Sequence, residues 1–227
     1  MTLRILVSLA LMAGVSMAGA AVAQTAAPAD KSKENVTREA VKPGDPMPVQ
    51  QLHLSEQLAT YGRANKDPLS LIVAAQIRQQ VGVKVVERKP DGVDAAAPAA
   101  TDVVAGLLDE AKALSKNDKT IVALADDVKA SATKGRVGGG IISLGQITGR
   151  TIHNRTMSFR AKQTAEIAAV GTDTNDIMLE VFDEGGHLIC RDTDPAYCRF
   201  TPAWTGAFTV KVHNNGTSLA HYRLETN

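Results

Sequence analysis

Aromatic side chains are scarce in this chain: one Trp, three Tyr and four Phe make up 4% of its 227 residues. Any core must therefore be built mostly of Val, Ile, Leu and Ala. A surplus of one charge is lacking as well, with 25 Lys and Arg against 24 Asp and Glu. Such a surface cannot neutralise a phosphate backbone, and its basic residues are not interleaved with rings that would stack bases, which argues against nucleic acid as a partner. After the first two dozen residues no apolar run is long enough to span a bilayer. Only two cysteines occur, Cys190 and Cys198, and the five histidines at 53, 153, 187, 213 and 221 form no His-Glu-x-x-His, so a zinc centre has no support. No Gly-x-Ser-x-Gly elbow is present. The expectation from these absences is that the chain is not an enzyme; a constellation assembled only in three dimensions would make it, alternatively, a cryptic periplasmic hydrolase.

The N-terminus does carry a signal. Residues 1–23 place Arg4 ahead of an apolar stretch ending in Ala21-Val22-Ala23, the small-x-small pattern of a cleaved signal peptide, which predicts a periplasmic or secreted product with no membrane span in the mature chain. Loss of this segment removes one basic and no acidic residue, leaving 24 of each. Residues 24–50 combine Ala, Pro and charge with few large apolar side chains and read as a flexible segment.

Residues 51–134 read as helical. Leu54, Leu58 and Tyr61 fall on one stripe. Asp67 and Pro68 make an N-cap and first helical position for a stripe of Leu69, Ile72, Val73 and Ile77 that Gly82 stops. Thr101 or Asp102 caps a third helix with Val104, Leu107, Leu108, Ala111 and Leu114 on one face. Asn117 or Asp118 starts a fourth, with Ile121, Leu124, Ala125 and Val128. The two hairpins lack the fixed period of tetratricopeptide repeats. Residues 135–140 are a Gly-rich hinge.

From 141 to 227 the period switches to two. Phe208, Val210 and Val212 alternate with polar residues, Ile177, Leu179 and Val181 repeat the pattern, and Ala165, Ile167 and Ala169, then Met157 and Phe159, follow it more weakly. With turn signals between the runs, the fold class expected is α+β: N-terminal helical hairpins, then a C-terminal antiparallel β-sandwich of jelly-roll-like character. In an exported chain Cys190 and Cys198 are expected to form a disulfide that staples a hairpin.

Asp173, Asn175, Asp176, Asp192 and Asp194 offer the hard oxygen atoms that calcium takes. Their order does not match an EF-hand loop, and the same residue types close turns on their own backbone, so turn chemistry is the preferred account. A calcium-binding sandwich module is the alternative; otherwise no cofactor is expected. Trp204 and Tyr197 could form a stacking platform, but packing at a corner is the preferred role for Trp204.

The Asp176-led strand 176–182, the Asp183–Gly186 turn and the Trp204-Thr205-Gly206 corner before the Phe208 strand resemble the bacterial pre-peptidase C-terminal domain, over about residues 137–227. The chain as a whole resembles an uncharacterised family of exported bacterial proteins in which such a domain follows a helical region. The resemblance implies a non-catalytic accessory module, sometimes associated with calcium. Many relatives carry a second Asp where this chain has Met178, which removes one carboxylate from the neighbourhood. The function expected is an exported accessory or binding protein of the bacterial envelope, with a protein or envelope component as its partner.

Overall fold

The computed structural model describes residues 30–37, 47–87, 89–91, 102–131, 140–172 and 176–227. These form four helices, α1 (Pro48–Asn65), α2 (Pro68–Val81), α3 (Val103–Leu114) and α4 (Lys119–Ser131). Strand β1 (Val83–Val85) lies between α2 and α3. The sandwich strands are β2 (Gly140–Ile147), β3 (Ile152–Phe159), β4 (Ala165–Gly171), β5 (Ile177–Phe182), β6 (Leu188–Thr193), β7 (Ala196–Phe200), β8 (Gly206–Asn214) and β9 (Ala220–Thr226). The fold is α+β.

Two sheets stack, with strand orders β1-β2-β9-β4-β7 and β3-β8-β5-β6. Every pairing is antiparallel except the parallel β1–β2. Apart from the β5–β6 hairpin, each connection from β2 to β9 carries the chain from one sheet to the other, which gives the sandwich its jelly-roll character. Alternation sets the inner faces as the sequence predicts: Ile177, Leu179 and Val181 of β5 and Phe208, Val210 and Val212 of β8 are buried against Ile167, Ala169, Tyr222 and Leu224 of the facing sheet. Phe159, Phe200 and Phe208 meet at one end of this core with centroids 4.9–5.6 Å apart.

The disulfide forms, Cα to Cα 5.9 Å, but it does not staple a hairpin. Cys190 lies on β6, an edge of one sheet, and Cys198 on β7, an edge of the other, so the bridge clamps the two layers along one open side. On the opposite side, Val86 N–H donates to the Ile142 carbonyl, and Asp91 bonds β3 through its own N–H to Asn154 and its carboxylate to Thr156. These contacts cover main-chain groups of Ile142, Asn154 and Thr156 that would otherwise stay unpaired.

Helix α1 packs on the outer face of the five-stranded sheet and α2 reaches it through Arg78, and both depart in part from their apolar stripes, although Ile72 is buried as expected. Leu54, Tyr61, Leu69 and Val73 are exposed, whereas Leu52, Ser55, Glu56 and Ala59 of α1 and Leu71, Ala74, Ala75 and Arg78 of α2 face inward. Close helix-on-helix approach favours the small side chains of α1 and α2, and the sheet beneath supplies charges that take Glu56 and Arg78, so size alone misplaces the buried face. In α3 and α4 the expected stripe holds at Leu107, Leu108, Ala111, Ala125 and Val128, with Leu124 exposed. Asp67, Asp102 and Asp118 cap α2, α3 and α4 through their carboxylates.

Three further expectations are revised. Within the stretch read as flexible, residues 48–50 open α1, and residues 35–37 dock on the sandwich with Asn35 fully buried. Residues 83–85, inside the region read as helical, join the sheet as β1. Gly140, placed in the hinge, begins β2, while residues 132–139 and the signal segment lie outside the described residues.

Candidate binding cleft

Between the helical layer and the sheet lies a cleft of about 680 Å³. Its floor is the outer face of β2, with Ile142 and Leu144, extended by Val83 and Val85 of the β1 edge. Val103, Val104 and Leu107 from the first two turns of α3 form its roof. β1 pairs only with β2 among the described residues, so its valines stand half exposed at the mouth.

The other end of the cleft is charged. Arg223 and Glu225 occupy the outward positions of β9, because Tyr222 and Leu224 alternate with them into the sandwich core. Glu56 of α1 accepts from Arg78 of α2 at 2.7 Å and from Arg223 at 2.5 Å. Arg78 also reaches Glu225 at 3.4 Å, and Arg223 Nε lies 3.6 Å from the same carboxylate. All four side chains are almost wholly withdrawn from solvent. Nearer the rim, Arg63 grips Glu110 through two nitrogens at 2.9 Å, which raises the Arg63 pKa further. Helix α1 has no side-chain cap of its own; Glu166, buried on β4, accepts from Val49 and Gln50 N–H and from the Tyr197 hydroxyl at 2.7 Å. A strand carboxylate thus does the work of an N-cap and docks the helix onto the sheet. His53 stacks on Tyr197 with centroids 5.0 Å apart, and burial lowers its pKa.

Of the five residues singled out for calcium, Asp176, Asp192 and Asp194 are among the described ones. Asp173 and Asn175 lie outside the described residues. Asp176 accepts the Asn215 N–H through its main-chain carbonyl. Asp192 spends one oxygen on Thr193 N–H and the other on Tyr197 N–H, each at 2.9 Å. Asp194 accepts from Gly171 N–H at 3.0 Å. Burial pushes its pKa up to about 7, with Glu56 and Asp176 adding to the rise against the opposing Gly171 N–H and Arg223. These are the bonds of strand ends and turns, and no group of three His, Cys, Asp or Glu side chains among the described residues is arranged to hold a metal ion.

Trp204 stands at a corner as expected, partly exposed, its indole N–H on Glu184 at 3.0 Å. His213, on the outward alternation of β8, is not solvated freely; it bonds Glu180 at 2.8 Å, and Arg191 joins them. Burial works against the ionised Glu180, yet Arg191 and His213 hold its pKa below the usual value.

Sequence reasoning missed Glu56, Arg78, Arg223 and Glu225. The one local signal was Glu166, a lone charge inside the apolar run AEIAAV, which announces a strand covered on both faces. No described helix is long and apolar enough to cross a membrane.

No protein-family model and no curated protein matches the chain. Several solved structures share features of the fold. PliG of Aeromonas hydrophila, a periplasmic inhibitor of g-type lysozyme, is 17% identical over 39% of this chain and 86% of its own, with a TM-score of 0.33. The Yersinia pseudotuberculosis-derived mitogen is 16% identical over 40% of this chain and 86% of its own, at 0.34. PirA is 11% identical over 42% of this chain and 99% of its own, at 0.28. At these values the likeness concerns the β-rich fold alone.

Proposed function

We propose that this chain is an exported, non-enzymatic binding protein of the bacterial envelope, an accessory protein whose sandwich is of the pre-peptidase C-terminal kind. The observation that carries the reading is the cleft of about 680 Å³ between helices and sheet, apolar on floor and roof and closed at one end by arginines and carboxylates already tied to one another. The carboxylates at the charged end, Glu56, Glu110 and Glu225, are engaged by Arg78, Arg63 and Arg223. An apolar trough with a polar end is what a protein or envelope component with exposed small apolar groups would fill. The inter-sheet disulfide and the signal-like residues 1–23 support export.

The test has two parts. Fractionation of cells producing the tagged full chain is expected to return a shortened protein with its disulfide oxidised in the periplasm; a full-length cytoplasmic product with free thiols removes the export reading. Crosslinked capture is then compared between the parent and Val83→Asp combined with Val85→Asp. A partner held by the parent and lost by the variant supports the cleft, and equal capture by both places binding elsewhere.

A further inference from the structure

Residues 35–37 lie against a corner of the sandwich whose residues are not among those lining the cleft. Asn35 is fully buried there, although it belongs to a stretch composed like a linker. Its backbone N–H donates to Asp183 Oδ2 at 2.9 Å, and its side-chain oxygen accepts from the Trp204 N–H at 3.0 Å. Two residues on, Thr37 N–H donates to the Thr201 carbonyl at 2.8 Å, while Val36 packs against the sandwich core. Lys31 pairs with Glu184, which also takes the Trp204 indole N–H. Gly206 makes room: a Cβ at that position would lie 2.9 Å from Asn35 Nδ2 and 2.7 Å from Glu184 Oε2.

Main-chain bonds at both ends, one side-chain amide read by a backbone N–H and one apolar side chain packed on the core are the parts of an extended-peptide site. The seat itself is built without the strap. Asp183 Oδ1 is held by the Gly185 and His187 N–H groups at 2.9 Å each, so its other oxygen stays aimed at the incoming N–H. Nine residues, 38–46, separate this segment from Met47 before α1.

We infer that the corner framed by Asp183, Thr201, Trp204 and Gly206 is a binding site for an extended Asn-apolar-Thr segment, occupied by the chain's own residues 35–37 as a removable strap that the same segment from another molecule can replace. The strap closes the site in cis. Its release exposes Trp204 and the aromatic end of the core to a segment supplied in trans.

The experiment uses the full chain with a protease site replacing residues 39–44, cut after purification, and the emission of Trp204, the only tryptophan, as the reporter. After cutting, the freed segment either co-elutes with the body through gel filtration, which marks a tight site, or leaves and changes Trp204 emission. In the second case a synthetic peptide of residues 30–37 is expected to restore the emission saturably, and an Asn35→Ala peptide to need about tenfold more, the loss of one well-made hydrogen bond. The uncut chain should not respond, because its site is full, and a cut Gly206→Ala protein with parental circular dichroism should not rebind. Release without restoration at millimolar peptide, or an equal response from the uncut chain, overturns the proposal. Should the cut protein unfold, the uncut Asn35→Ala chain replaces it: it is expected to accept the parental peptide, and its failure to do so overturns the proposal equally.

Discussion

The sandwich encloses mainly Ile, Leu, Val and Met side chains with Phe200, Phe208 and Tyr222, alongside Ala165, Ala169, Ala196 and Ala220, whereas half of the buried cluster between the helices is alanine: Ala59, Ala74, Ala75, Ala111 and Ala125. The two clusters do not merge. Between them stands the outer face of the five-stranded sheet, where Glu166, Arg223 and Glu225 meet the helices through hydrogen bonds and ion pairs. Apolar burial is non-directional and contributes wherever area leaves water. A buried ion pair contributes only while every partner is present, because a single removal strands a charge. The sandwich should thus tolerate local change, and the helical layer should depend on a few named residues.

Glu56→Ala tests the dependence most severely. It strips Arg78 and Arg223 of their shared carboxylate and should cost about 3–5 kcal/mol, the range for breaking a buried pair from one side. In urea, the helical far-UV signal should be lost well before Trp204 emission changes. If the two signals still move together, the layers are one cooperative unit and the contrast fails.

Cys190→Ala combined with Cys198→Ala attacks the other half. Opening the short loop should remove roughly 2–3 kcal/mol on the chain-entropy account. The loss belongs to the sandwich, so the Trp204 transition should fall towards the helical one and narrow the gap.

Gly145→Ala places a methyl group against the ring of Tyr222, which is buried and holds the hydroxyl contacts of His153 and Arg155. Overpacking of this kind costs about 1–3 kcal/mol. Calorimetry should show a lower Tm, and a shift in the tyrosine near-UV signal would locate the cause.

Asp194→Asn should have the smallest effect and the opposite sign. With its folded pKa raised to about 7, the native state holds a proton that the unfolded chain gives up near the ordinary carboxylate value. Stability from this group is therefore full in acid and declines as pH rises from the ordinary value through neutrality. The variant, which still accepts from Gly171 N–H, should melt higher than the parent at pH 8 and no higher at pH 4. After screening in this partly buried site the gain is on the order of 1 kcal/mol. A larger gain at acid pH than at alkaline pH would contradict the assignment.

Legibility followed the same division. The alternation at 177–181 and 208–212 set the inner face of the sandwich because a strand with one face in a core has only one workable register. The stripes of α1 and α2 held at Leu58 and Ile72 but misled elsewhere, since Leu54, Tyr61, Leu69 and Val73 point to solvent while Glu56 and Arg78 point in. A helix lodged between another helix and a charged sheet obeys two neighbours, and a hydrophobic count sees neither. The candidate cleft was invisible for that reason: its parts come from residues 63, 78, 83–85, 103–110, 142–144 and 221–223. Asn35 lay in a stretch with a disordered composition and is held by bonds to residues 183 and 204, more than a hundred positions away.

From its sequence alone the protein had its strand alternation, the Asp67 helix cap, two further caps narrowed to neighbouring pairs, and the pairing of its two cysteines, because each depends on neighbours along the chain or on the lack of any other partner. Only the tertiary structure decided which sheet each strand joined, that the disulfide spans two layers, and which helix face meets charge. Those are relations between distant segments, and the free energy that selects them arises when apolar area, main-chain groups and ions leave water together.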